Sequence, residues 1–270
     1  MFFLNKKYTL TESGFLNDWT DRHSHILPGV DDGIRTMEDS LAVLKFYEQA
    51  GVSTVWLTPH IMEDVPNEPA ELKERFEELK EAYRQTEGEK KINLHLAAEN
   101  MIDSLFVKRL EAGNLLTYGD KGNELLVETS YAQAPYRFKL ILQDIRKAGL
   151  TPVLAHPERY RYMDYDDYDT LHEQGVRFQL NITSLAGAYG PEPKERAEYL
   201  LEEGYYTYQG SDLHSLSAFK HAIKERSVRQ RIYSLGTGRF KPLRFVNQQN
   251  PFRIHCNGLS QKPMMAQKIR

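Results

Sequence analysis

Only one cysteine, Cys256, occurs in the 270 residues, so no internal disulfide can form and a reducing compartment, by default the cytoplasm, is expected. Long apolar runs are also missing. Asn5, Lys6 and Lys7 interrupt the opening stretch Met1 to Leu10, which leaves too little for a secretory core or a membrane span. There is no internal repeat and no low-complexity segment. Acidic residues almost vanish near the end of the chain: Lys220 to Arg270 holds 12 Lys and Arg against a single acid, Glu225. With a net charge of −3 for the whole chain, residues 1–219 therefore carry −14. A basic tail of this kind suits nucleic acid or an acidic membrane surface, and equally a solvated extension that offsets an acidic body. Gly236, Gly238, Pro242, Pro251, Gly258 and Pro263 break any long periodicity there, so the solvated reading is adopted and nucleic acid is not expected as a partner.

What remains is an ordinary globular composition, 40% hydrophobic and 27% charged, enough for a sizeable core. The length fits one large α/β domain. Short apolar runs alternate with amphipathic stretches, as repeated β-α units around parallel strands do. Strands are expected at Trp19 to His23, Ser53 to Thr58, Ile92 to Ala98, Glu124 to Thr129, Thr151 to Ala155, Arg177 to Asn181 and Tyr206 to Gly210. Helices are expected near Met37 to Ala50, Glu68 to Thr86, Ser104 to Ala112, Pro135 to Ala148, Asp166 to Glu173 and Lys194 to Glu203. Gly51, Gly149 and Gly204 follow three of them, as left-handed caps would. Seven such units closing into a distorted seven-stranded β/α barrel, TIM-like, is the favoured α/β architecture; an open doubly wound sheet is the alternative.

Histidines and carboxylates gather at the ends of these strands. Asp21, His23 and His25 form D-x-H-x-H as the first ends, and simple alternation would set all three on one side of the chain. His60 follows the second strand, Glu99 the third and His156 the fifth, while the last runs into Ser211-Asp212-Leu213-His214. In a parallel barrel these ends share the rim that carries active sites. Asp31 and Asp32, in the turn Pro28 to Gly33, are either turn formers or ligands. His95, His172, His221 and His255 read as ordinary polar residues.

Nitrogen and oxygen donors without thiolate indicate a catalytic site for Mn, Fe or Zn. His23, His25, Glu99 and Asp212 can fill one site, and His60, His156, His214 and Asp32 leave donors for one or two more. Ions about 3.5–4 Å apart can clamp the attacking and leaving oxygens of a phosphoryl displacement. Phosphate ester hydrolysis by a metal-activated hydroxide follows as the expectation.

His23-Ser24-His25-Ile26-Leu27-Pro28-Gly29-Val30-Asp31-Asp32-Gly33, Thr58-Pro59-His60, Ala98-Glu99, Ala155-His156-Pro157-Glu158-Arg159 and Ser211-Asp212-Leu213-His214 occur in that order. Together they resemble the PHP superfamily, named for polymerase and histidinol phosphatase domains, and within it the bacterial capsule-type tyrosine phosphatases. The resemblance covers about residues 18–220. It implies a PHP-type seven-stranded barrel, a manganese-type site of three ions, and hydrolysis of phosphotyrosine on a bacterial tyrosine kinase of capsule or exopolysaccharide synthesis. It further implies His23, His25, Asp32, His60, Glu99, His156, Asp212 and His214 as metal ligands. Arg159 would hold the substrate phosphate, and Asp212 and His214 would join it as catalytic residues. On this reading residues 1–17 are an N-terminal extension, 18–226 the phosphatase barrel and 227–270 the basic tail.

Two positions depart from the family pattern. Arg22 stands where an apolar residue is usual and, by alternation, should face the surrounding helices without an evident partner. No arginine lies in Ser215 to Phe219, so Lys220 is the nearest cation where members often carry a second phosphate-binding arginine. Glu128, Tyr131, Tyr160 and Asn181 fall at strand ends or rim loops and can shape the pocket, although loop packing explains them as well. A cysteine phosphatase is a poor fit, since His255-Cys256 is followed by Lys262 where that motif needs arginine. The remaining alternatives are a phosphoesterase for a small ester such as histidinol phosphate, and a non-catalytic, metal-stabilised kinase-binding module.

Overall fold

The computed structural model describes residues 7–12, 14–87, 91–224 and 228–229. Its strands are β1 (Lys7–Tyr8), β2 (Thr20–Ser24), β3 (Thr54–Leu57), β4 (His60–Ile61), β5 (Asn93–Leu96), β6 (Glu99–Met101), β7 (Glu124–Glu128), β8 (Thr151–Ala155), β9 (Arg177–Asn181), β10 (Tyr206–Gly210) and β11 (Val228–Arg229). The helices are α1 (Met37–Ala50), α2 (Pro69–Arg84), α3 (Ser104–Ala112), α4 (Phe138–Lys147), α5 (Tyr165–Glu173), α6 (Ile182–Ala186), α7 (Pro191–Glu202) and α8 (Leu216–Ala222). All seven expected strand segments are present. No helix among the described residues is long and apolar enough to cross a membrane.

Local chemistry explains the helix limits. Thr36 caps α1 by accepting a hydrogen bond from the Asp39 amide, and Gly51 ends it at φ 86°, where a side chain would be strained. Val43, Leu44 and Tyr47 form the buried stripe of that helix. Asp103 caps α3, and Asp164 with Asp167 forms a capping box at α5. Strand β7 is buried at every position, as expected for a parallel strand covered on both faces.

The strands pair in parallel, but their ladders do not close into one barrel. Among the described residues they form a six-stranded sheet in the order β10-β9-β8-β7-β6-β4 and a three-stranded sheet in the order β2-β3-β5. A separate antiparallel pair joins β1 to β11. The expected second and third strands appear as β3 and β5, and each is followed, after a break at Thr58-Pro59 and at Ala97-Ala98, by a further short strand, β4 and β6, beyond the expected bounds. Pro59 has no N–H to give a ladder, a local reason for the first break. Strand β2 is joined to the segment just after β10 by one isolated bridge, Ser24 to Leu213, supported by bonds from Asp212 N to His23 O (2.8 Å) and from His25 N to Leu213 O (3.1 Å). The architecture is mixed α/β with parallel sheets.

A register shift in the β2–β3 ladder lies between Asp21 and Ser24 and corrects two expectations. Asp21 does not join His23 and His25. It accepts hydrogen bonds from Tyr47 of α1 (2.8 Å) and from the Ser211 hydroxyl (2.6 Å). Arg22 does not face the helices either; it lies over the rings of Trp56 and Tyr208 and pairs with Asp120 at 2.9 Å. The main apolar core packs the helices on the outer strand faces and takes in Leu10, Phe15 and Leu16 from the N-terminal segment. The His255-Cys256 pair and the basic tail lie outside the described residues.

Candidate metal centre

Glycine opens the way for the first ligand pair. A Cβ at Gly210 would collide with His23, so only glycine lets β10 run close beside the histidine strand. The chain then turns with Asp212 at φ 52°, and at the end of β8 His156 sits at φ 33°. Both are non-glycine residues in the left-handed region, a conformation that costs of order 1–3 kcal/mol and clusters at functional sites. Both are expected ligands, whereas Asp18 (φ 56°) and Arg137 (φ 60°) adopt the same conformation without being expected ligands.

Eight expected ligands converge at the strand ends, and three donor groups can each hold a metal ion: His23, His25, Glu99 and Asp212; His25, Asp32, His60 and His214; and His60, Glu99 and Glu128. The first is the set read from sequence. His156 falls in none of the three, but its Nε2 lies 2.9 Å from Glu99 Oε1 and 4.0 Å from Glu128 Oε2. Glu128, treated above as a pocket residue, is buried and stands 3.0 Å from His60 Nδ1. Its signal was available, because it closes β7 as the ligand residues close their strands.

The hydrogen bonds behind the imidazoles turn their lone pairs inward. His23 Nδ1 lies 2.7 Å from Gln179 Oε1, whose amide nitrogen donates to Leu180 O (2.5 Å). The amide oxygen can only accept, so Nδ1 of His23 carries a proton and Nε2 is the nitrogen turned towards the cluster. His214 Nδ1 likewise faces the Asp212 carbonyl at 3.0 Å. His25 Nδ1 is 2.8 Å from Asp31 Oδ2. These are the outer contacts by which proteins orient metal-binding histidines. Asp31 also accepts from the amides of Gly33 (2.9 Å) and His60 (3.0 Å), so it braces the cluster from behind, while Asp32 projects its exposed carboxylate to 3.3 Å from His214 Nε2. The aspartate pair thus divides its labour.

Two observations test whether the residues fit metal ions. Glu99 Oε2 is buried and makes no hydrogen bond, although His23, His25 and His60 each bring a ring nitrogen within 3.2–3.3 Å of it. Donor atoms so placed point at common centres and not at one another. The electrostatics agree. Burial works against charge on His23, yet the Glu99 and Asp212 carboxylates outweigh it and raise the imidazole to about 9. Burial likewise opposes ionisation of Asp31, but His25 holds its carboxyl at about 2. The cluster favours bound positive charge, and its nitrogen and oxygen donors suit Mn, Fe or Zn. Asp21 differs: burial pushes it up to about 6 against the Ser211 and Tyr47 bonds, and it faces away from the donors.

The cluster floors a cavity of about 590 Å³ whose lining includes Asp32, His60, Glu99, Asp212 and His214. Arg159 also lines it and donates from Nη1 to Asp212 Oδ2 at 2.7 Å. Asn181 Nδ2 donates to the same oxygen at 2.8 Å, leaving Oδ1 of Asp212 towards His23 and His25 at 3.5 and 3.4 Å. Tyr160 is fully buried, with its hydroxyl accepting from the Thr129 amide (3.1 Å). Lys220 lies over Phe46 at 4.6 Å and does not line the cavity. Sequence reasoning missed Tyr189, another lining residue, which sits between α6 and α7 with no periodic or motif signal.

A parallel-stranded α/β fold with histidines and carboxylates converging on the strand ends defines a class of candidate metal-centre proteins. Within that class the chain belongs to the CpsB/CapC family of capsular polysaccharide synthesis, whose model matches residues 19–248. It is 30% identical over 201 residues to the tyrosine-protein phosphatase YwqE of Bacillus subtilis, covering 73% of this chain and 77% of that protein. Identity to the tyrosine-protein phosphatase CpsB of Streptococcus pneumoniae is 30% over 209 residues, 73% of this chain and 84% of that one. A crystallographic study of YwqE and CpsB, described there as unique metal-dependent tyrosine phosphatases, contains a chain of the same fold. That chain has a TM-score of 0.67 at 24% identity and covers 82% of this chain and 95% of the other.

Proposed function

We propose that this protein is a metal-dependent protein tyrosine phosphatase acting on a bacterial tyrosine kinase of capsule or exopolysaccharide synthesis, in the cytoplasm, with residues 18–226 as the phosphatase unit. The observation that carries the reading is the bare Glu99 Oε2 among three imidazoles, at the floor of a cavity that also holds Arg159. Three donor groups sharing His25, His60 and Glu99 support three ions, with manganese assigned, held by His23, His25, Asp32, His60, Glu99, His156, Asp212 and His214 and joined by Glu128. When bound, such ions supply Lewis acidity and an activated water for in-line attack on phosphorus.

The chain's own residues supply the rest. Arg159 presents a planar fork to the phosphate oxygens, and its charge opposes the negative charge of the transferring group. Asp212, its Oδ2 held by Arg159 and Asn181, keeps Oδ1 on the cluster. His214 keeps its proton on Nδ1 and turns Nε2 to the cavity. A phenolate leaving group, with a pKa near 10, needs less protonation than an alkoxide, so a tyrosine ester is the easier substrate for this set. The test is elemental analysis of purified protein beside hydrolysis of phosphotyrosine and phosphoserine peptides and of histidinol phosphate. Preference for the phosphotyrosine peptide supports the reading. Faster turnover of histidinol phosphate favours the small-ester alternative, and metal binding without turnover favours the kinase-binding module.

A further inference from the structure

Two aromatic rings on the cavity wall are more exposed than core packing explains. Tyr131 is 40% exposed and Tyr189 38%, and both line the cavity. Between them lies the Arg159 guanidinium, 4.3 Å from the centre of one ring and 4.1 Å from the other. Distances of this order are those of cation–π contact. The guanidinium carbon stands over both rings, and Nη1 is committed to Asp212. Among the described residues no hydrogen bond reaches Nε or Nη2. Those in-plane donors are what the arginine has left to offer a ligand.

The clamp is itself tied to the metal cluster. Asn181 Nδ2 donates both to the Tyr189 hydroxyl (3.0 Å) and to Asp212 Oδ2 (2.8 Å), so Arg159, Asp212, Asn181 and Tyr189 form a closed ring of contacts. Tyr131 is backed on its other side by Tyr160, with stacked rings 6.1 Å apart. A long flexible side chain ordinarily loses rotamer freedom when it binds an anion. Here most of that loss is made in advance.

We infer that Tyr131 and Tyr189 are positioning residues that clamp Arg159 edge-on to the cavity, so that it meets phosphate with little further ordering. The inference rests on the phosphatase reading for its substrate, but its test does not. Manganese-loaded protein is titrated with inorganic phosphate by calorimetry, which needs no turnover, and KM and kcat for 4-nitrophenyl phosphate are measured alongside. Tyr131→Leu and Tyr189→Leu are expected to weaken phosphate binding about five- to tenfold, a loss of the size cation–π contacts carry, with metal content unchanged. Tyr131→Phe keeps the ring face and should restore affinity to within about twofold, whereas Tyr189→Phe also loses the Asn181 tie and should fall between. If the rings act through Arg159, neither leucine substitution should weaken binding by more than about twofold once Arg159→Ala is present, since residues in contact are non-additive. Leucine variants that bind phosphate like the parent, effects that persist undiminished beside Arg159→Ala, or a parent protein that binds no phosphate would each overturn it. Loss of hydrolysis in a parent that still binds phosphate would count against the phosphatase reading and leave the clamp standing.

Discussion

Near the amino ends of the strands, Arg22 pairs with Asp120 at 2.9 Å, Arg177 pairs with Glu124, and the Tyr208 hydroxyl donates to Glu124 at 2.8 Å. The rings of Trp56, Tyr118 and Tyr208 pack around Arg22, whose backbone carbonyl accepts from Tyr118 at 2.8 Å. At the other end the fold buries Glu99, Glu128 and three histidines, His23, His25 and His156, yet Glu99 Oε2, Glu128 Oε1, His60 Nδ1 and His156 Nδ1 make no hydrogen bond. One end brings charges together in pairs, although Arg22 Nη1 and Glu124 Oε2 also go without a hydrogen bond there; the other sets ring nitrogens of three histidines around one carboxylate oxygen. A buried polar atom without a partner costs about 1–3 kcal/mol, so a cluster of them is informative. Here they coincide with donor groups able to hold metal ions, unlike the scattered unpaired atoms of Trp19, Gln174 and Gln209.

The sharpest way to break this contrast is to remove a proposed ligand at the cluster end. Asp212→Ala should lower kcat/KM at least ~10²-fold and reduce bound metal, because the cluster loses the carboxylate that faces His23 and His25. Metal analysis and phosphotyrosine kinetics on one preparation check both effects. Near-normal turnover with full metal content would show that the strand-end cluster is misread.

Arg159 tests the same end without removing one of the candidate metal donors, although it pairs with Asp212. Arg159→Ala should cost on the order of 10²-fold in kcat/KM, since a charge-assisted contact is worth up to ~3 kcal/mol, and Arg159→Lys should cost less. Metal content should stay unchanged in both. A comparable metal loss would make the Arg159–Asp212 ion pair a support of the cluster and not a phosphate contact.

Asp31→Asn moves one layer back. Asparagine keeps the size but loses the charge that holds the His25 proton, and such outer partners typically contribute 10–100-fold in metal affinity or activity. Manganese titration followed by activity should show weaker metal dependence, with rate recovered at high manganese. Unaltered manganese affinity would remove Asp31 from the account.

The smallest effect belongs to the amino end. Asp120 is 69% exposed, so Asp120→Asn should change stability by less than about 1 kcal/mol and leave turnover intact. His95→Ala, which removes a ring stacked on Trp56 at 4.6 Å, should also spare metal content. Denaturant melts and metal analysis would check these, and a loss of metal in either variant would erase the distinction between the two ends.

Much of this was legible in the residues. Strands β7, β8 and β9 carry continuous or nearly continuous buried runs bounded by turn residues, and α1 has both a cap and a stripe. The candidate donors were legible because His60, Glu99, His156 and Asp212 fall at or just beyond the ends of the expected strands, and their recurrence there is poorly explained by chance. What failed was anything set by register. The slip between Asp21 and Ser24 turned Asp21 and Arg22 to faces that strict alternation does not give them. Closure of the sheet depends on how β2 meets β10, a contact about 190 residues apart in sequence with no local signature. Tyr189 was invisible for a similar reason: only the fold brings its loop to Arg159.

The central claim is that the bare donors around Glu99 hold ions on which hydrolysis depends. Protein stripped with a chelator, then reloaded stepwise with manganese while bound metal and phosphotyrosine hydrolysis are recorded together, addresses it most directly. The account predicts negligible activity when stripped, recovery that tracks metal occupancy, and the same curve for Cys256→Ser. Full activity in stripped protein, or its loss on Cys256→Ser at full metal occupancy, would contradict it.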